Sequence, residues 1–153
     1  MRLPVLAGDW PVSQHFGINP AYYADYGYPG HNGLDLACPV GTQVLLPVDA
    51  VLIEVGFDAG GYGLYQKWET ADGQDWLFAH LQSSQASKQG DRAVGGTPIA
   101  LSGASGRVTG PHLHVGYRPL SSLRGWPWDG WVDPLPFVLR VPLGAGEPVP
   151  VGG

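Results

Sequence analysis

The chain has 153 residues, a formal net charge of -5 and a single cysteine. An acidic balance leaves no basic face for nucleic acid and no electrostatic anchor to an anionic surface, and a lone Cys38 excludes an intrachain disulfide. No stretch approaches the roughly 18 consecutive apolar residues of a membrane-spanning helix, and the length suits one domain whose core stands without covalent staples.

Residues 1–30 are irregular and aromatic. The opening MRLPVLAGDW has one basic residue and no apolar stretch of signal-peptide type. SQHFGINP reads as a strand end running into a turn at Asn19-Pro20. Tyr22, Tyr23, Tyr26 and Tyr28 then crowd one loop, which either lines a cleft or packs on the surface. HNGLD follows, and Cys38 in DLACP reads as a buried, inert thiol. TQVLLPV and AVLIEVGF are β-branched, apolar strands closed by Gly60-Gly61. LYQKWET and DWLFAHL flank Ala71-Asp72-Gly73, a strong hairpin signal. Residues 83–96 are polar and glycine-bearing, hence a loop. TPIALSG is a short strand, SGASGRVTGP a glycine-punctuated loop, and HLHVGYR another strand. Trp126, Trp128 and Trp131 either cover one end of a sheet or form a peptide- or sugar-binding wall. No window carries a 3.6-residue apolar repeat. The pattern therefore predicts an all-β single domain over 1–140 with little helix, and a Pro/Gly-rich mobile tail over 141–153.

Four of the five histidines fall in three short motifs. His112 and His114 are two apart, so on a strand they share a face at roughly 6.5–7 Å and can share a pocket. His31 and Asp35 are four apart. A regular strand would separate them by roughly 13 Å, too far for both to reach one metal ion. Gly33 permits the bend that such a pair requires, and a bulged or kinked strand is expected there. His80 in FAHL is placed at the end of an apolar strand, while His15 has no such company and reads as structural. HExxH, GxSxG, the phosphate-binding glycine loop and paired cysteines for structural zinc are all absent from the sequence.

In order and spacing, His31-Asn32-Gly33-Leu34-Asp35, Ala79-His80-Leu81 and Gly110-Pro111-His112-Leu113-His114 resemble the lysostaphin/LytM-type zinc metalloendopeptidases. SQHFG, DLACPVGTQV, GYG at 61–63, SGASGRVTGPHLH and Asp133-Pro134 extend the likeness over roughly residues 13–138. The resemblance implies antiparallel sheets in a sandwich-like arrangement, with the site in a groove flanked by loops. It implies that His31, Asp35 and His114 bind Zn2+ and that His80 and His112 are the catalytic pair. One of the pair would take a proton from water and the other would stabilise the oxyanion or protonate the leaving amine; which does which stays open. The implied substrate is a stem-peptide or cross-bridge bond of bacterial peptidoglycan, and the place of action is the cell wall, by a secreted, phage-encoded or virion-associated protein. A monomer without nucleic-acid partners is expected. The alternative is a non-hydrolytic, zinc-containing wall- or partner-binding module. Two departures stand out: Gly116 occupies a position that is usually acidic, and FGIN replaces FGxR, putting Asn19 in place of an arginine.

Overall fold

The computed structural model describes residues 3–86, 88–120, 122–125 and 127–139. Their regular structure is eleven strands, one four-residue helix and two 3-10 turns. The strands are β1 (Leu3–Pro4), β2 (Val12–Gln14), β3 (Leu34–Leu36), β4 (Gln43–Leu45), β5 (Ala50–Asp58), β6 (Gly63–Glu69), β7 (Asp75–Ser84), β8 (Arg92–Ala93), β9 (Pro98–Ser102), β10 (Leu113–Arg118) and β11 (Val138–Leu139). The helix α1 is Pro20–Tyr23, followed by a 3-10 turn at Ala24–Tyr26. The fold is thus mostly antiparallel β with little helix, as the alternation of short apolar runs and turn residues predicts.

Nine strands form one sheet in the order β2-β3-β10-β7-β6-β5-β8, which branches where β9 pairs with the far end of β7 and carries β4 on its other side. Every pairing in this sheet is antiparallel. A separate two-stranded pair, β1 with β11, is parallel. The Ala71-Asp72-Gly73 turn closes β6 on β7, with Thr70 N donating to Gln74 O at 2.9 Å. The predicted loop 83–96 is partly strand: β7 runs on to Ser84, and Arg92–Ala93 pair with β5.

Strand alternation separates the core from the site. Leu34 and Leu36 of β3, Leu113 and Val115 of β10, and Trp76 and Phe78 of β7 join one large apolar cluster with Trp68, Leu52 and Ile99. The residues between them point the other way: Asp35, His114, and Leu77 with Ala79, which meet Trp131 in a smaller aromatic cluster with Phe16, Tyr28, Tyr62 and Tyr65. The central strands β7 and β10 are therefore covered on both faces, which is why DWLFAHL and LHVGYR read as continuous buried runs.

One residue breaks the alternation. Phe78 and Leu81 both belong to the large cluster, three apart where a regular strand needs an even number. His80 absorbs the extra residue, with φ of +62° and a shift in the β6–β7 register between Phe78 and Leu81. The expectation that His80 ends a strand is corrected here: it sits inside β7, at a bulge. In an unbroken strand its side chain would point into the apolar core. Residues 141–153, and the tail predicted for them, lie outside the described residues, as does Trp126.

Candidate active site

Three segments meet at one end of the sheet. His31 precedes β3 and is held to residues 15–18 by paired backbone bonds, Gly17 N to His31 O and His31 N to Ile18 O, both 2.8 Å. The chain bends at Gly33 and enters β3, so His31 and Asp35 come together as HNGLD requires. Asp35 lies opposite His114 in the β3–β10 register, and His114 lies opposite Ala79 of β7. Gly33 is obligatory at the bend because a Cβ there would strike Val115 O and come within 2.6 Å of the His114 ring.

The donor atoms form a nearly equilateral triangle. His31 Nε2 is 3.1 Å from Asp35 Oδ1, His114 Nδ1 is 3.1 Å from the same oxygen, and the two nitrogens are 3.1 Å apart. All three residues are buried. A tetrahedral zinc shell with bonds of about 2.0–2.2 Å has edges of about 3.3 Å, so this spacing fits such an ion. The tautomers fit as well. His31 Nδ1 donates to His15 O at 3.1 Å, which leaves the lone pair on Nε2, inside the triangle. His114 presents Nδ1, and its Nε2 is buried with no hydrogen-bond partner. That is the nitrogen that keeps the proton when Nδ1 is a ligand. Burial raises the Asp35 carboxyl, but bonds and charge from His114 and His31 outweigh it and hold the group well below the usual carboxylate range. Converging lone pairs and a carboxylate repel one another unless a cation lies among them.

His80 and His112 stand beside the triangle with ring centroids 4.7 Å apart, edge to face. Each donates from Nδ1 to a backbone carbonyl: His80 to Ser105 at 2.9 Å and His112 to Gly110 at 3.0 Å. Both therefore keep Nε2 as the proton-accepting atom. His112 Nε2 is 3.4 Å from Asp35 Oδ2, the oxygen on the outer side of the carboxylate. Burial, then the neighbouring His114 and His112, push the His80 imidazole down to about 3, so it is neutral at pH 7. Burial likewise lowers His114.

All five residues singled out from the sequence come together. Sequence reasoning missed the carbonyls of His15, Ser105 and Gly110, which set the tautomers, because a carbonyl leaves no mark on residue type. His15 is structural, as expected, but through its backbone oxygen. Tyr62 was also missed: it accepts a bond from Asn32 Nδ2 at 2.8 Å and packs its ring 5.5 Å from His114. The tyrosine segment lines the cleft, sharing a cavity with His80 and His114, and Tyr22, Tyr23 and Tyr26 also pack on one another. Trp131 is buried under that wall, and Trp128 packs 4.4 Å from Phe16. Cys38 is buried and away from the triangle.

Comparison with known proteins gives the family. The model for peptidase family M23 matches residues 29–127. The chain is 33% identical over 144 residues to the peptidoglycan DD-endopeptidase ShyA of Vibrio cholerae, covering 92% of this chain and 31% of that protein. Among solved structures, the catalytic domain of lysostaphin from Staphylococcus simulans has a TM-score of 0.69 at 25% identity, covering 83% of this chain and 90% of that one. A zinc-containing peptidase from Vibrio cholerae has a TM-score of 0.62 at 32% identity, covering 76% of this chain and 35% of that one. The chain thus spans about a third of the curated relative it matches. From the three motifs, the convergent donor triangle and these matches together, the chain belongs to peptidase family M23.

Proposed function

We propose that this chain is a zinc-dependent endopeptidase that hydrolyses peptide bonds of bacterial peptidoglycan, in the stem peptide or cross-bridge, and acts at the cell wall. The observation that carries this reading is the 3.1 Å triangle of His31, Asp35 and His114 with two further imidazoles beside it. The names of similar proteins, a peptidoglycan DD-endopeptidase and the antimicrobial peptidase lysostaphin, support the substrate class. His31, Asp35 and His114 would hold the ion. Zinc bound there supplies Lewis acidity and an acidified water near neutral pH.

The residues of this chain do the rest. His80, locked at Nδ1 by the Ser105 carbonyl, leaves its Nε2 lone pair available and would accept a proton there. His112, held through Nδ1 by the Gly110 carbonyl, places Nε2 3.4 Å from Asp35 Oδ2. It would stabilise developing negative charge, and the proton that His80 takes from water is the one His80 delivers to the leaving amine.

The test is release of new amino termini from purified peptidoglycan. Zinc-loaded wild type releases them, and His114→Ala releases none and binds no zinc. His80→Ala and His112→Ala keep zinc and lose about 10²–10⁴-fold in rate. A zinc-loaded wild type inert on walls of several cross-link types is the result expected of a binding module and rejects the peptidase reading.

A further inference from the structure

Arg107 is, among the described residues, the one lysine or arginine lining the two cavities that flank His80. Both cavities also share Tyr22 and Tyr23, so Arg107 and Tyr22 form the waist between them. The guanidinium carbon lies 4.4 Å from the Tyr22 ring centroid and 5.7 Å from that of Tyr26. Nη1 donates to the Tyr26 hydroxyl at 3.2 Å, and that hydroxyl donates to Gly60 O at 2.8 Å. The Arg107 backbone is fixed by its own bond to Gly61 O at 2.9 Å. A tethered loop therefore sends an exposed cation across the cleft onto neutral partners.

A guanidinium has five N–H donors, and among the described residues one of them is used, on Tyr26. Arg118 shows the contrast: it is buried, doubly bonded to Asp75 Oδ2 at 2.7 and 2.9 Å, and faces Asp129 as well. The carboxylates lining the same cavities are engaged elsewhere. Asp35 is held by three histidines, and Asp58 accepts from the Tyr62 amide. Among the described residues no carboxylate forms an ion pair with Arg107; Asp25 acts on it only electrostatically. The guanidinium lies over the Tyr22 ring, and its remaining N–H donors suit a planar acceptor. A carboxylate matches that fork with two parallel N–H···O bonds and an opposite charge, where Tyr26 offers a single uncharged oxygen.

We propose that Arg107 is a specificity-determining residue that selects peptides bearing a free carboxylate close to the scissile bond, the Tyr26 hydrogen bond giving way as the carboxylate takes the guanidinium edge. This rests on the peptidase reading for what happens next, but not for the binding itself. The same face would be indifferent to a neutral oligoglycine bridge.

The test uses one synthetic cross-linked stem peptide prepared with its carboxyl groups free and as carboxamides. For the zinc-loaded wild type, kcat/KM favours the free acid by about tenfold or more. In Arg107→Gln, which keeps length and polarity without charge, that ratio falls to about one; Arg107→Lys, charged but unable to fork, lies between. Zinc content is the same in all three. Equal rates on both peptides in the wild type, or an unchanged ratio in Arg107→Gln, overturn the proposal. Should the wild type hydrolyse neither peptide, calorimetric binding decides. A preference for the free acid that Arg107→Gln abolishes supports the proposal whatever the wall assay says of the peptidase reading, whereas equal or absent binding overturns the proposal.

Discussion

His80 holds a left-handed backbone at φ +62°, a conformation that costs a residue with a Cβ about 1–2 kcal/mol. The strain is tolerated because it turns the imidazole out of the apolar core, where Ser105 O can lock it. His80→Gly relieves this strain but deletes a buried imidazole and its bond to Ser105 O, so thermal stability should fall by about 1 kcal/mol or more while activity is lost; calorimetry and the wall assay check the two together. Acid acts through the same residue. Folded His80 stays neutral down to about 3, whereas an unfolded imidazole takes its proton near 6.5. Below 6.5 the unfolded chain binds the proton first, so stability is full above 6.5 and falls progressively toward 3. His114 and Asp35, both shifted down, act in the same direction. The melting temperature of metal-free protein should drop between about pH 7 and pH 5, and His80→Asn should flatten that slope. The residue identities of the site were legible because imidazole and carboxylate are the chemistry. The kink at His80 was not, because a left-handed histidine has no signature in sequence and only the spacing of Phe78 and Leu81 hints at it.

Two loops fasten the site, and their glycines are where backbone meets backbone. Gly63, at φ +63°, abuts Ser105, and a Cβ on it would lie 2.5 Å from Gly106 N. Leu64 N and Leu81 O both bond Ser105 Oγ, at 3.0 and 2.6 Å, so the 103–107 loop is tied to β6 and β7 on either side of His80. Gly63→Ala should push Ser105 away from His80 and lower kcat by about 10²-fold, within the range for a general acid or base, with zinc still bound. Gly33→Ala acts on the other half: its Cβ would displace the His114 ring, so zinc affinity should fall by about 10–100-fold, as for loss of a ligand-orienting contact. Competition with a chromophoric chelator separates the two variants. The strands and hairpin were readable from alternation and from Ala71-Asp72-Gly73. The branch of β9 and β4 off β7 was not, because pairing across more than 50 residues of sequence leaves no local pattern.

At the scale of the molecule, one face of the sheet supplies stability and the other supplies the site, and a buried ion pair anchors the wall between them. Asp75 and Arg118 are both about fully buried, at 0% and 1% exposure, and Arg118 also stacks 4.5 Å from Trp131. Removing one charge leaves the other desolvated, so Asp75→Asn should cost about 3–5 kcal/mol, lowering the melting temperature by about 10 °C without changing the donor triangle. The fold class and the metal and catalytic candidates followed from motif order, whereas this anchor did not: an Asp and an Arg 43 positions apart are ordinary surface residues until β7 and β10 pair them. The central claim is that His31, Asp35 and His114 enclose one zinc ion beside His80 and His112. Anomalous diffraction at the zinc absorption edge from crystals of the zinc-loaded protein tests it most directly. The account predicts a single peak about 2.0–2.2 Å from His31 Nε2, Asp35 Oδ1 and His114 Nδ1. A zinc peak elsewhere, or none at that position in zinc-saturated crystals, contradicts it.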